Sequence, residues 1–209
     1  DAHYRLYNAT LKSDFGWAKL TSSTSYSTLG AVNNIDATAL LDLTSFTAPS
    51  GNPLSTLEEE PVTQSQFTPE FRLSSPDDQT VTWLGGLFFT HEIGNVLQNI
   101  PTADYYTGQL APSPFGNPLE GTVQPSTYLE YAAYGSATWH VSDRFDVEAG
   151  LRYSHDTQHY TEILFVSPAL GLPAAPTVEL DNHSADSSTT FSLTPRFRIN
   201  DNNMLYARM

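Results

Sequence analysis

Histidine is the residue type in this chain best suited to hold a metal, and there are six of them. His155 and His159 stand four apart, the H-x-x-x-H spacing that brings two imidazoles to one face of a helix. The residues around them read as a strand running into a loop, where that spacing aligns nothing, so no metal site is expected. His91, His140 and His183 are isolated in the sequence and read as ordinary polar positions. The absence of cysteine excludes a thiolate site, a Cys nucleophile and a disulfide framework. Serine and aspartate are plentiful, but no G-x-S-x-G elbow or phosphate-cradling glycine loop organises them, so no enzyme is expected.

Charge is the stronger clue. Nine Lys and Arg stand against 23 Asp and Glu, a net charge of −14, which argues against a nucleic-acid surface. The acids concentrate in three segments rich in Pro, Gly, Ser, Thr and Asn. Asp36, Asp42, Glu58, Glu59 and Glu60 fall in 29–62, Asp104 and Glu120 in 93–127, and Glu162, Glu179, Asp181 and Asp186 in 159–188; none of the Lys and Arg falls there. Solvation of exposed loops is the plain meaning. Cation handling is the functional one, including Ca²⁺ on oxygen ligands. Phe46, Tyr105, Tyr106, Phe115, Tyr160 and Phe165 punctuate the same segments and could stack on a chelate or a sugar, or simply pack locally. The candidates for ligand contact are therefore Phe46, Glu58, Glu59, Glu60, Asp104, Tyr105, Tyr106, Phe115, Tyr160 and Asp181.

Period-two alternation supplies the elements that position them. In 144–158, Phe145, Val147, Ala149, Leu151 and Tyr153 take one face, and Asp146, Glu148, Gly150, Arg152 and Ser154 the other. Residues 66–74 repeat it, with Phe67, Pro69, Phe71 and Leu73 against Gln66, Thr68, Glu70 and Arg72. Residues 191–199 do so again, with Phe191, Leu193, Pro195, Phe197 and Ile199 against Ser192, Thr194, Arg196 and Arg198. Residues 128–141 follow more loosely, Glu130 on the polar side. Weaker strands are read at 4–12, 15–28 and 203–209. Residues 80–92 are apolar on both faces, which leaves their facing open. No helical spacing is sustained.

Short polar turns at 13–14, 75–79, 142–143 and 200–203 alternate with the three long segments. Each of those exceeds the length of about 12–15 residues at which a structureless loop needs explaining. An all-β, antiparallel up-and-down transmembrane β-barrel wall explains both, with about eight strands, short turns at one end and long loops at the other. Its apolar face would meet outer-membrane lipid, with Tyr131, Trp139, Tyr153 and Phe191 as interfacial aromatics. Glu70, Arg72, Glu130, Glu148, Arg152, Arg196 and Arg198 would face the lumen. A soluble β-sandwich binding carbohydrate, and a small closed eight-stranded barrel acting as an adhesin or structural protein, are the alternatives. The chain reads as a mature chain or a piece of a longer one, since neither a leader nor a spanning helix is visible.

Particular runs resemble a known family. Phe67-Thr-Pro-Glu-Phe-Arg-Leu-Ser-Ser-Pro76 with Trp83-Leu-Gly-Gly-Leu-Phe-Phe89 looks like paired strands of TonB-dependent outer-membrane receptors. So do Ala132-Ala-Tyr-Gly-Ser-Ala-Thr-Trp139 with Val141-Ser-Asp-Arg144 and Glu148-Ala-Gly-Leu-Arg-Tyr153, and Leu193-Thr-Pro-Arg-Phe197 with Asn203-Met-Leu-Tyr-Ala-Arg208. The resemblance implies that residues 1–209 are one segment of a barrel of about 22 strands filled by a plug domain. It also implies uptake of a ferric siderophore or similar scarce chelate, energised by the TonB complex through that plug, with the seven wall charges pairing along the wall or with the plug.

Overall fold

A computed structural model describes residues 1–171 and 177–209, with side chains except at 177–179; the Glu179 side chain and residues 172–176 of the third long segment thus lie outside what is described. The wall strands are β1 (Ala2–Asp14), β2 (Lys19–Asp36), β3 (Leu54–Ser74), β4 (Val81–Asn99), β6 (Glu120–Ser142), β7 (Phe145–Val166), β8 (Thr177–Asn200) and β9 (Asn203–Tyr206), with a short β5 (Thr102–Asp104) in the second loop. They form one antiparallel sheet in the order β1-β2-β3-β4-β6-β7-β8-β9, with β5 paired to β3. The eight expected wall strands are present, each next to its sequence neighbour.

The register puts alternating residues of neighbouring strands into common rows. Phe71, Leu87, Ala133 and Tyr153 share one row, and Leu73, Gly85, Gly135, Leu151 and Phe191 the next. Among the described residues no protein layer covers these rows: Leu87 is 61% exposed, Leu151 58% and Phe191 80%. That removes the β-sandwich, which needs this face sealed in a core. On the opposite face Thr90 and Ala132 are buried although no second sheet lies over them. A sheet curved toward its polar side crowds that side and splays the other. The apolar face is therefore convex and the polar face concave, as in a sector of barrel wall.

Seven apolar rows run from Phe145 to the Tyr26–Phe67–Leu129 level. At two residues per row they cover about 40 Å of strand, or about 30 Å of height at a tilt of about 40°, the thickness of a bilayer's hydrocarbon. Trp139 and Tyr131 lie near the two edges of this band, but Tyr153 and Phe191 lie at mid-band rather than at an interface. β1 and β9 are not paired with each other among the described residues, so the sheet is an open sector and not a closed eight-stranded barrel. Its edges require partner strands in lipid, where each unpaired backbone group costs several kcal/mol.

The register also settles β4. Val81, Trp83, Leu87 and Phe89 join the convex rows, while Leu84, Phe88 and Thr90 face inward. Half or more of each segment read as a loop is strand. With 18 to 24 residues in β2, β3, β4, β6, β7 and β8, these strands run far past the band at the long-loop end. The connections that remain are 37–53, 100–119 and 167–176. Glu58, Glu59 and Glu60 therefore stand on β3, Tyr160 on β7 and Asp181 on β8. Alternation marks a strand only where one side is apolar and the other wet; past the apolar band that contrast is gone.

Candidate functional site

The concave face carries a polar network built across strands. All seven wall charges fall on it, because their positions share the inward register. Arg72 Nη2 donates to Glu70 at 2.8 Å, and Arg152 Nη2 to Glu130 at 2.7 Å. Arg196 bridges Asp146 at 2.5 Å and Glu148 at 3.1 Å. Arg198 Nη1 donates to the Asp143 carbonyl in the turn below. The joining residue is Tyr134, which the sequence reading did not single out. Its hydroxyl donates to Glu70 and accepts from Arg72 Nε at 3.1 Å, spanning from β6 to β3. β4 lies between them, and the ring passes over Gly86. The Arg152 guanidinium sits 5.5 Å from the Phe88 ring and 5.9 Å from that of Tyr134. A single aromatic on the wet side of Ala132-Ala-Tyr-Gly was the available signal.

Gly86 is what permits this bridge. A Cβ there would stand 2.4 Å from Tyr134 Cζ. Gly86→Ala should swing the ring away, break both hydroxyl bonds and cost about 1–3 kcal/mol of stability. Urea unfolding of the intact barrel measures this, and in a Tyr134→Ala background most of the penalty should vanish.

The second part of the site is a cap formed by the two long connections. Leu43, Ala48, Leu54, Ala111 and Leu119 make its core, with Ile100 and Phe115 packed against them. β5 pairs with the loop end of β3 through Leu54–Asp104, Ser55–Ala103 and Thr56–Thr102. Asn117 staples the second loop, its Oδ1 accepting from Thr102 N at 3.2 Å and its Nδ2 donating to the Ala111 carbonyl at 3.2 Å. Phe46 and Phe115 meet edge to face at 4.7 Å, so both serve packing within the cap.

Asp104 ties the two loops together. It is buried, accepts from Ser50 Oγ and Asn52 Nδ2 of the first loop, and accepts from the backbone N–H groups of Tyr106 and Thr107 in its own. Tyr105 and Tyr106 are thereby displayed at the tip, exposed and edge to face at 5.3 Å. Of the ligand candidates in the cap, these two tyrosines are the most exposed; Asp104 holds them in place. The Ser50 hydroxyl, then the Asn52 and backbone donors, hold the Asp104 carboxyl down from 3.8 to about 2. Its stabilisation of the cap is complete above pH 3.8 and is lost as pH falls through about 2. Hydrogen exchange of 37–53 and 100–119, corrected for intrinsic rate, should show cap opening in that window, and Asp104→Asn should remove most of the pH step, leaving the smaller part due to Asp36 and Asp42.

The remaining candidates diverge. Glu58 accepts from Gln98, and the Tyr160 hydroxyl donates to Glu162 at 2.9 Å on the concave face. Extended backbone sends Glu58 and Glu60 to one side and Glu59 to the other, so these three cannot share one cation. Asp36 and Asp42 each accept from a backbone N–H two residues on, at Thr38 and Thr44. These bonds lower both carboxyl pKa values, the side-chain hydroxyls of those threonines contributing most. Asp181 stands on the convex face beside His159 and His183.

The comparisons agree with this geometry. The family model described as TonB dependent receptor-like, beta-barrel, matches residues 1–208. Pesticin receptors of Yersinia enterocolitica and Yersinia pestis are 32% identical over 126 residues, 57% of this chain and 16% of theirs. The crystal structure of the ferric yersiniabactin uptake receptor FyuA from Yersinia pestis superimposes with a TM-score of 0.70 at 18% identity, covering 99% of this chain and 27% of that one. The chain thus spans about a sixth of the length of its curated relatives and about a quarter of the solved barrel. A convex lipid-facing band, a concave charged wall and a match along the whole sheet make this chain a member of the TonB-dependent receptor β-barrel family, a sector of outer-membrane barrel wall with a cap at its long-loop end.

Proposed function

We propose that this sector belongs to a receptor that takes up a ferric siderophore or a similar scarce chelate across the outer membrane, energised by TonB through a plug domain. The observation that carries the reading is the family match from end to end of the wall, in the company of relatives named for pesticin and for ferric yersiniabactin uptake. The architecture supports it. The concave network of Glu70, Arg72, Tyr134, Arg152 and Glu130 offers donors and acceptors to a plug surface, and the cap presents Tyr105 and Tyr106 to an incoming chelate. Such rings give flat apolar area with a hydroxyl at the edge, a match for catecholate or heterocyclic ligands.

Uptake of ⁵⁵Fe loaded on a panel of chelators tests the reading in iron-limited cells. Cells carrying the full-length receptor should accumulate label from at least one chelate, and loss of TonB or of the receptor should abolish it. Label entering no faster than in receptor-deleted cells for every chelate would sink the proposal. Calcium at the acidic segments is a separate proposal supported by charge alone. Calorimetric titration of Ca²⁺ into the full-length receptor, with Glu58, Glu59 and Glu60 replaced in parallel, decides it: no heat removes it.

A further inference from the structure

We infer that the convex face holds a binding site for a zinc-class divalent ion, formed by His159, Asp181 and His183. β7 and β8 pair with His159 directly opposite His183 and Thr161 opposite Asp181, so all three side chains leave the sheet on one face. His159 Nε2 lies 2.8 Å from Asp181 Oδ1, and His183 Nε2 lies 3.5 Å from the same oxygen. The three ligand atoms all lie within 4.8 Å of one another. A tetrahedral zinc at about 2.0–2.2 Å from nitrogen and oxygen would set its ligands about 3.3 Å apart, so the two N···O spans already bracket the requirement. The imidazoles stack at 3.8 Å with an interplanar angle of 12°, both Nε2 atoms turned to the carboxylate. Parallel rings direct their Nε2 lone pairs side by side, so binding opens the stack until both converge on one ion, and both rings are exposed enough to turn.

The donor set selects the metal class. Two neutral imidazoles and one carboxylate suit zinc and its transition-metal neighbours, whereas calcium and magnesium favour all-oxygen shells. Three protein ligands leave a fourth position open to water. The shallow groove beside the cluster is lined by His91, Thr127, Leu129 and Thr157 and contains no Lys or Arg to repel a cation. The location also fits. The His159–His183 row lies one step beyond the Tyr26–Phe67–Leu129 row that ends the apolar band, in the part of the wall that stands clear of hydrocarbon. An ion there would clamp β7 to β8 where they project toward the loops. Sequence alone does not reveal this site, because His159 stands 22 and 24 residues before Asp181 and His183 and only the register joins them.

The test uses the full-length receptor in detergent, purified without an affinity tag and washed with chelator, titrated with zinc chloride by calorimetry. One zinc per barrel is expected, with affinity at least about tenfold weaker in Asp181→Asn and in His183→Ala and no binding in the His159→Ala/His183→Ala pair. His91→Ala and His155→Ala, which remove the neighbouring imidazoles, should bind as the parent does. X-ray absorption of the loaded protein should show two imidazoles and one protein oxygen. Absence of zinc binding, retention of it in the double variant, equal loss in the His91 or His155 variants, or fewer than two imidazoles at the metal would each overturn the site. The readout involves no transport, so its failure and the failure of the uptake proposal are distinguishable.

Discussion

Leu151→Arg in the full-length receptor will destabilise the folded barrel by about 2–4 kcal/mol, measured by urea unfolding in lipid vesicles. Leu151 lies at the fourth of seven apolar rows, flanked by Gly135 on β6 and Phe191 on β7's other neighbour, and none of the described residues covers it. A guanidinium at that level must either enter hydrocarbon or drag water toward the midplane, because the nearest interface is about 15 Å away. The comparison that isolates the cause is Thr138→Lys on the concave face. Thr138 stands directly opposite Glu148, so a lysine there gains an opposite charge across the strand pair and should change stability by less than about 1 kcal/mol. Equal costs at the two positions would show that lipid does not bathe the Leu151 face, and the membrane assignment of the sheet would fall with it.

How much of this was readable beforehand follows from the same physics. Where lipid and lumen contrast, side chains must take turns, and the faces of 66–74, 144–153 and 191–199 emerged residue by residue. Above the membrane both faces meet water or neighbouring loops. Runs such as Asn33-Asn34 and Glu58-Glu59-Glu60 carry no periodicity there, although β2 and β3 continue to pair through them. The long segments were therefore read as loops. β4 was ambiguous because Phe88 and Leu84 are apolar yet inward, one lying under the Arg152 guanidinium and the other beside the network.

Long-range pairing was beyond reach altogether. Tyr134 meets Glu70 over a glycine 48 positions from its own place in the chain, and His159 meets His183 only through the β7–β8 register. Asp104 illustrates the opposite error of role. An acid among loop tyrosines suggests ligand contact, yet four donors from two loops converge on it and leave it buried. The chemistry it offers is spent on presenting Tyr105 and Tyr106.

Leu54→Ala should unfold the cap and leave the wall intact. Leu54 is fully buried, and its surroundings are Leu43, Ala48, Ala111 and Leu119, all within or beside the two loops. Truncation removes apolar contact and opens a cavity, a loss of about 2–5 kcal/mol. That loss falls on a small unit whose core holds few large side chains, and none of the transmembrane rows touches this core. Hydrogen exchange at Thr102, Ala103 and Asp104 should accelerate by roughly 30-fold or more, the measure of about 2 kcal/mol of local stability, while amides of β6 and β7 inside the band keep their protection. Phe46→Ala, at a half-exposed position on the same cap, should do less. With the cap open the Asp104 donors disperse and Tyr105 and Tyr106 lose their fixed placement, so affinity for any chelate bound there should fall in step with cap opening. Were the band amides to lose protection together with the cap, the two would be one cooperative unit, and the separation of a rigid wall from an independently stabilised cap would be wrong.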